Sequence, residues 1–156
     1  MTERMPPLVY VDANPFMYAF ETAPEIANPL LALMEAFKRK PGAAVTSEIV
    51  LGELLAPVRR PGALSAAEKR TIYLNLLVFN QWFDLRPVTR SIVLGSASLR
   101  EGTNLKLVDA VHLATALHAG CRFILSNDRD MDRGVGRLRR VQPDADGIEM
   151  LVGALT

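Results

Sequence analysis

The chain has 156 residues, 49% of them hydrophobic, and a formal net charge of +1, which gives length enough for a core but no basic coat to bind nucleic acid by charge alone. A single cysteine, Cys121, excludes an intrachain disulfide framework and suits a reducing compartment. No stretch is long and apolar enough to span a bilayer, and the amino-terminal segment lacks the apolar region of a signal peptide, so a soluble cytoplasmic protein, one domain over residues 1–156, with no membrane partner is expected.

The first element is a short buried strand over residues 8–11, apolar and β-prone. Asn14 is a good helix N-cap and Pro15 fits the first helical position, so a helix is expected over 15–20. Two prolines within 22–29 predict a break. Residues 30–40 have apolar positions at helical spacing and end in Lys38-Arg39-Lys40, which suits a helix C-terminus. A short strand is expected over 43–46, and Ser47 caps a helix over 48–56 that Pro57 and Pro61-Gly62 close. Ser65 and Glu68 form a capping box that starts a helix running to about Asn80. Residues 83–88 read as a strand despite Pro87. Thr89 caps a helix ending near Gly102, and another opens at Asn104 or Leu105 and stops at Gly120. A strand over 121–126, a polar turn over 127–132 and a small last strand beginning at Arg140-Val141 complete the reading.

Short apolar strands alternating with helices imply an α/β fold in which a parallel sheet is covered on both faces. Ligands then bind beyond the carboxyl ends of the strands. Four acids stand in apolar surroundings near such positions: Asp12 after the first strand, Glu53 within Ile49–Leu55, Asp109 within an almost wholly apolar helix, and Asp128 after the strand ending at Ser126. Each has an ordinary reading. Asp12 or Asn14 caps a helix, Asp128 belongs to a turn, Glu53 faces solvent, and Asp109 caps or pairs with an arginine. A carboxylate in Asp109's setting is costly unless paired, hydrogen-bonded or metal-bound. Clustered acids raise one another's pKa values, and a hard divalent cation, Mg²⁺ or Mn²⁺, removes the conflict.

The run Val9-Tyr10-Val11-Asp12-Ala13-Asn14 resembles the opening of PIN-domain ribonucleases, including VapC-type toxins. The stretches around Glu53, around Asp109 (Leu107 to Ala116) and around Asp128 (Ile124 to Met131) resemble the family's later motifs in order. The resemblance implies a three-layer, Rossmann-like PIN domain with a short parallel central sheet, a Mg²⁺ or Mn²⁺ site, endoribonuclease activity and a homodimer. It implies that Asp12, Glu53, Asp109 and Asp128 are the metal-site and catalytic acids, with Asp130 as a further or substitute ligand. Asn14, Ser126, Asn127 and Thr115 are expected to support them, although a mid-helix threonine more often bonds its own backbone. His112, three residues after Asp109, is read first as a packed core histidine; bonding to Asp109 or touching substrate are its alternatives.

The expected reaction is metal-assisted hydrolysis of RNA to a 5′-phosphate and a 3′-hydroxyl, with no protein nucleophile. Backbone-positioning candidates are Arg59, Arg60, Arg129 and Arg133, with Arg137, Arg139, Arg140 and Lys38 to Lys40 as further basic positions. An antitoxin partner would use the arginine cluster or the groove beside the capping-box helix. Two other readings are open. One is a haloacid-dehalogenase-like phosphohydrolase with Asp12 as nucleophile, Thr46 and Lys106 in supporting roles and Asp128 with Asp132 as metal acids. That chemistry wants an aspartate where Asn14 stands. The other is a catalytically silent PIN-fold binding module.

Overall fold

The computed structural model describes residues 4–132 and 136–156. Among these residues, five short strands, β1 (Val9–Val11), β2 (Ala44–Ser47), β3 (Asp84–Arg86), β4 (Phe123–Leu125) and β5 (Arg139–Val141), form one sheet in the order β3-β2-β1-β4-β5. Every pairing is parallel, with Val9 opposite Ala44 on one side and Phe123 on the other. The chain builds outward from β1 to β2 and β3, then crosses back to lay β4 and β5 on the other side of β1. The strand order therefore reverses at β1, so the carboxyl ends of β1 and β4 form the topological switch point, where such sheets bind ligands.

Among the described residues, seven α-helices cover the sheet: α1 (Ala13–Phe20), α2 (Pro24–Arg39), α3 (Glu48–Leu54), α4 (Ala66–Leu74), α5 (Arg90–Arg100), α6 (Leu107–His118) and α7 (Ala145–Leu155). Alternation along β1 decides which faces they cover. Val9 and Val11 join the larger core with Phe16, Leu33, Phe37, Leu54 and Leu151. Tyr10 points the other way and packs with Ala110, Leu113, Ala116 and Ile124 beneath α6. The three-layer α/β expectation holds, and α6 is buried without interruption from Ala110 to Ala116.

Several boundaries differ from the sequence reading. The N-cap of α1 is Asp12, whose carboxylate accepts the Ala13 N–H at 2.8 Å, so Asn14 lies inside the helix. The expected break over 22–29 is mostly helix. Pro24 occupies the first turn of α2, where its missing N–H costs nothing, and Pro29 leaves only the exposed Glu25 carbonyl without its helical donor. The capping box at Ser65 and Glu68 is formed, but α4 gives way at Asn75 to a π-helical turn, Asn75–Phe79, closed by the Asn80 N–H on the Asn75 carbonyl at 3.1 Å. Helix α6 starts at Leu107, two to three residues later than expected, with Lys106 at its cap. Gly120 ends it with a φ of +77°, a conformation glycine adopts without strain. Helix α7 had no counterpart in the sequence reading. Asp144 caps it by accepting the Gly147 N–H at 2.8 Å.

Candidate metal centre

Asp12 is the most firmly held of the acids. It is 4% exposed. Its Oδ2 accepts the Ser126 hydroxyl at 2.6 Å and lies 3.4 Å from Asn14 Nδ2. Ser126 Oγ in turn accepts the Asp128 N–H at 3.0 Å, and Asn14 Oδ1 accepts the Asn127 N–H at 3.0 Å. Asn14 and Ser126 thus tie the end of β1 to the end of β4. Asn127 extends the network through the Tyr18 hydroxyl and Gln142.

Glu53 comes from α3 and Asp109 from the first turn of α6. Asp128 caps the short 3₁₀ turn Arg129–Met131, its Oδ1 accepting the Asp130 N–H at 2.9 Å. The acids gather into two groups. Asp109, Asp128 and Asp130 each offer an oxygen, and Asp12, Glu53 and His112 each offer a ligand atom, with the atoms of each group within 4.8 Å of one another. The groups sense each other. Desolvation first, then the charge of Asp128, lifts the Asp109 pKa; Asp12 and Asp130 push the same way, and His112 opposes them. The Asp109, Asp128 and Asp130 group is all oxygen and its members already repel, which fits a hard divalent cation such as Mg²⁺ or Mn²⁺.

His112 does more than fill the core. It is 1% exposed, as a packed histidine would be, yet its Nε2 donates to Glu53 Oε1 at 2.6 Å and lies 3.4 Å from Asp12 Oδ1. Its Nδ1 is 2.6 Å from the Tyr10 hydroxyl. Burial works against the imidazolium, but the hydrogen bond to Glu53 and the charges of Asp12, Glu53 and Asp109 outweigh it, so the pKa stands above the ordinary histidine value. Burial, then Asp12 and Glu53, drive the Tyr10 pKa upward, and the residue stays a phenol. Tyr10 escaped the sequence reading. The available signal was its place at the midpoint of β1, where alternation turns it toward the helix carrying His112.

Other candidates lie elsewhere. The Thr115 hydroxyl donates to the Val111 carbonyl at 2.7 Å, inside its own helix, and reaches no carboxylate. Arg140 donates from Nη1 to the Ser126 carbonyl at 3.0 Å and to Gln142 Oε1 at 2.7 Å, so it braces the β4–β5 edge. Lys38 pairs with Glu35 at 2.7 Å and stacks on Trp82, at the opposite end of the sheet from the acids. Arg59 and Arg60 are exposed on the α3–α4 connection, and Arg129 is exposed beside Asp130. Arg133 lies outside the described residues. The phosphohydrolase alternative fails on two positions: the Thr46 hydroxyl is spent on the Val11 carbonyl at 2.8 Å within the sheet, and the acid–base position is Asn14.

Comparison with known proteins agrees with this architecture. The family model described as PIN domain matches residues 9–136. The chain belongs to the PIN-domain family. No curated protein matches it by sequence. Among solved structures, this PIN domain is similar to a toxin–antitoxin complex from Klebsiella pneumoniae at 21% identity and a TM-score of 0.62, covering 87% of this chain and 98% of that one. It is similar to VapBC2 from Rickettsia felis bound to a promoter DNA fragment, at 15% identity and a TM-score of 0.65, with 88% and 99% covered. It is also similar to VapC20 from Mycobacterium tuberculosis, titled a sarcin-ricin loop cleaving toxin, at 20% identity and a TM-score of 0.59, with 84% and 98% covered. At these identities the likeness establishes the fold. The order of acids on this PIN domain, after β1, on α3, on α6 and after β4, comes from its own sequence and geometry.

Proposed function

We propose that this PIN domain is a Mg²⁺- or Mn²⁺-dependent endoribonuclease that serves as the toxin of a toxin–antitoxin pair. The observation that carries the reading is the convergence of Asp12, Glu53, Asp109, Asp128 and Asp130 at the carboxyl edge of the sheet, with the Asp109 pKa raised by burial and by its acidic neighbours. When bound, a divalent ion supplies Lewis acidity to the scissile phosphate and to an attacking water. Asp109, Asp128 and Asp130 would hold it, with Asp12 and Glu53 completing the oxygen set. Ser126 and Asn14 keep the Asp12 carboxylate in one orientation by donating to it. Arg129, Arg59 and Arg60 are exposed and would bind the RNA backbone. Water adds to phosphorus and the bond to the 3′ oxygen breaks, leaving a 5′-phosphate and a 3′-hydroxyl.

The toxin part of the reading draws support from similar structures solved as toxin–antitoxin complexes. An apolar groove of about 650 Å³ runs between α2 and α4, lined by Phe20, Leu31, Met34, Ile72, Leu76 and Trp82, and is the surface where an antitoxin segment would lie. A homodimer is part of the same reading. The deciding experiment incubates purified protein with structured RNA and Mn²⁺, with and without chelator, and maps the cleavage ends. Asp109→Asn should lower the rate at least about a hundredfold, beyond the 10- to 100-fold usual for a group that merely supports a ligand. Equal rates for the wild type and Asp109→Asn would reject the mechanism. Intact Mn²⁺ binding without cleavage would leave a binding module.

A further inference from the structure

Glu53 reaches the centre differently from the other acids. Asp12 is fixed by donors from Ala13, Ser126 and Asn14, and Asp128 by its own turn. The Glu53 side chain is 35% exposed and leaves from a seven-residue helix, directly after Gly52. Among the described residues, the one hydrogen-bond partner of its carboxylate is His112. A glutamate with that exposure has three rotatable bonds, and holding one rotamer costs side-chain entropy.

His112 has no comparable freedom. It sits on the buried stretch of α6, and its second ring nitrogen meets the hydroxyl of Tyr10, a fully buried residue of the central strand β1. Strand alternation turns Tyr10 toward α6, and one helical turn separates the partly exposed Asp109 from the buried His112. The two residues therefore divide the work of one helix end, Asp109 at the mouth and His112 behind it.

We infer that the Tyr10–His112 pair is a positioning device that fixes the Glu53 carboxylate beside Asp12 at the metal centre. The inference rests on the metal-dependent reading above. The neutral ring that bears its hydrogen on Nε2 accepts from Tyr10 at Nδ1 and donates to Glu53. The charged ring donates to Glu53 as well, so the contact does not depend on protonation. The pair orients Glu53 without touching substrate, and without it Glu53 would sample solvent-facing rotamers.

Calorimetric Mn²⁺ titration of the full chain tests this. His112→Leu should weaken Mn²⁺ binding about 10- to 100-fold. His112→Gln, whose side-chain amide can donate from near the Nε2 position, should recover most of the loss, and Tyr10→Phe should fall between the two. In a Glu53→Ala background, His112→Leu should add no further loss, because the carboxylate it acts through is gone. An equal loss in both backgrounds would make His112 a packing residue or a ligand in its own right and overturn the inference, as would unchanged affinity in His112→Leu. If the wild type itself binds no Mn²⁺, the metal-dependent reading fails and takes the inference with it. If the wild type binds and the His112 variants match it, the inference alone falls. Should His112→Leu not fold, the same cycle is run with His112→Asn, which is polar but too short to reach Glu53.

Discussion

Asp109 shows how one side chain records the chemistry of its neighbours. Its folded-state pKa lies above the ordinary carboxylate value, through desolvation and then the Asp128 charge. The protonated form therefore suits the metal-free fold better than the carboxylate does. The stability this supplies is fully present below the unfolded pKa, about 3.9, and is lost as pH rises through the elevated folded value. Asparagine imitates the protonated carboxyl in shape. Asp109→Asn should raise the melting temperature of chelator-treated protein at pH 7, and the gain should shrink toward zero near pH 3, where the wild-type group is already protonated. Melting curves at both pH values check this; identical curves at pH 7 would mean that the acids do not strain one another. The acids themselves were legible in the sequence because an ionised group inside an apolar run stands out. Their supports were less so. The Asn14 and Ser126 contacts span 113 and 114 residues of chain, and the bond of His112 to Glu53 spans 59, so no local pattern encodes who meets whom.

Helices were legible where their ends carry local signals. Ser47, the Ser65–Glu68 capping box and Thr89 each cap the helix expected of them, because capping bonds form within three residues. The failures have the opposite character. Prolines read as breakers were accommodated in the early turns of α2, and α7 hides behind Pro143 and Gly147, residues that in isolation suggest a turn. Gly147 is there for a tertiary reason: a Cβ at that position would lie 2.0 Å from the Gln142 carbonyl oxygen and 2.9 Å from Val141 Cγ1. Gly147→Ala should push α7 off the end of β5 and destabilise the fold by about 1–3 kcal/mol, the usual cost of overpacking. Gly153 lies on the exposed side of the same helix with nothing within 4 Å of a built Cβ. Gly153→Ala should stabilise by roughly 0.5–1 kcal/mol through helix propensity. Thermal melts of the two variants should move in opposite directions. A common direction would mean that α7 is not docked through its Gly147 face.

For the molecule as a whole, the consequence of the acid edge is that the candidate centre comes together only in the folded chain. Its oxygens come from residues 12, 53, 109, 128 and 130, carried by the ends of β1 and β4 and by α3 and α6. An unfolded chain scatters them, so a cation that binds the cluster binds the native state almost alone. Linkage then requires the cation to stabilise the fold by about 2.7 kcal/mol at a free concentration a hundredfold above its Kd. In a domain of this size that is a rise of about 5–10 °C in melting temperature. The formal net charge of +1 offers no general attraction for cations, so a rise of that size would have to come from the local cluster. Mn²⁺ should therefore raise the melting temperature of the wild type, chelator should reverse the rise, and Asp128→Asn should remove most of it while melting normally in chelator. Removing one carboxylate from an exposed and unrelated position, as in Glu25→Gln on α2, should leave the rise intact. A shift that persisted undiminished in Asp128→Asn would mean that the ion binds elsewhere and that the gathered acids are not a common centre.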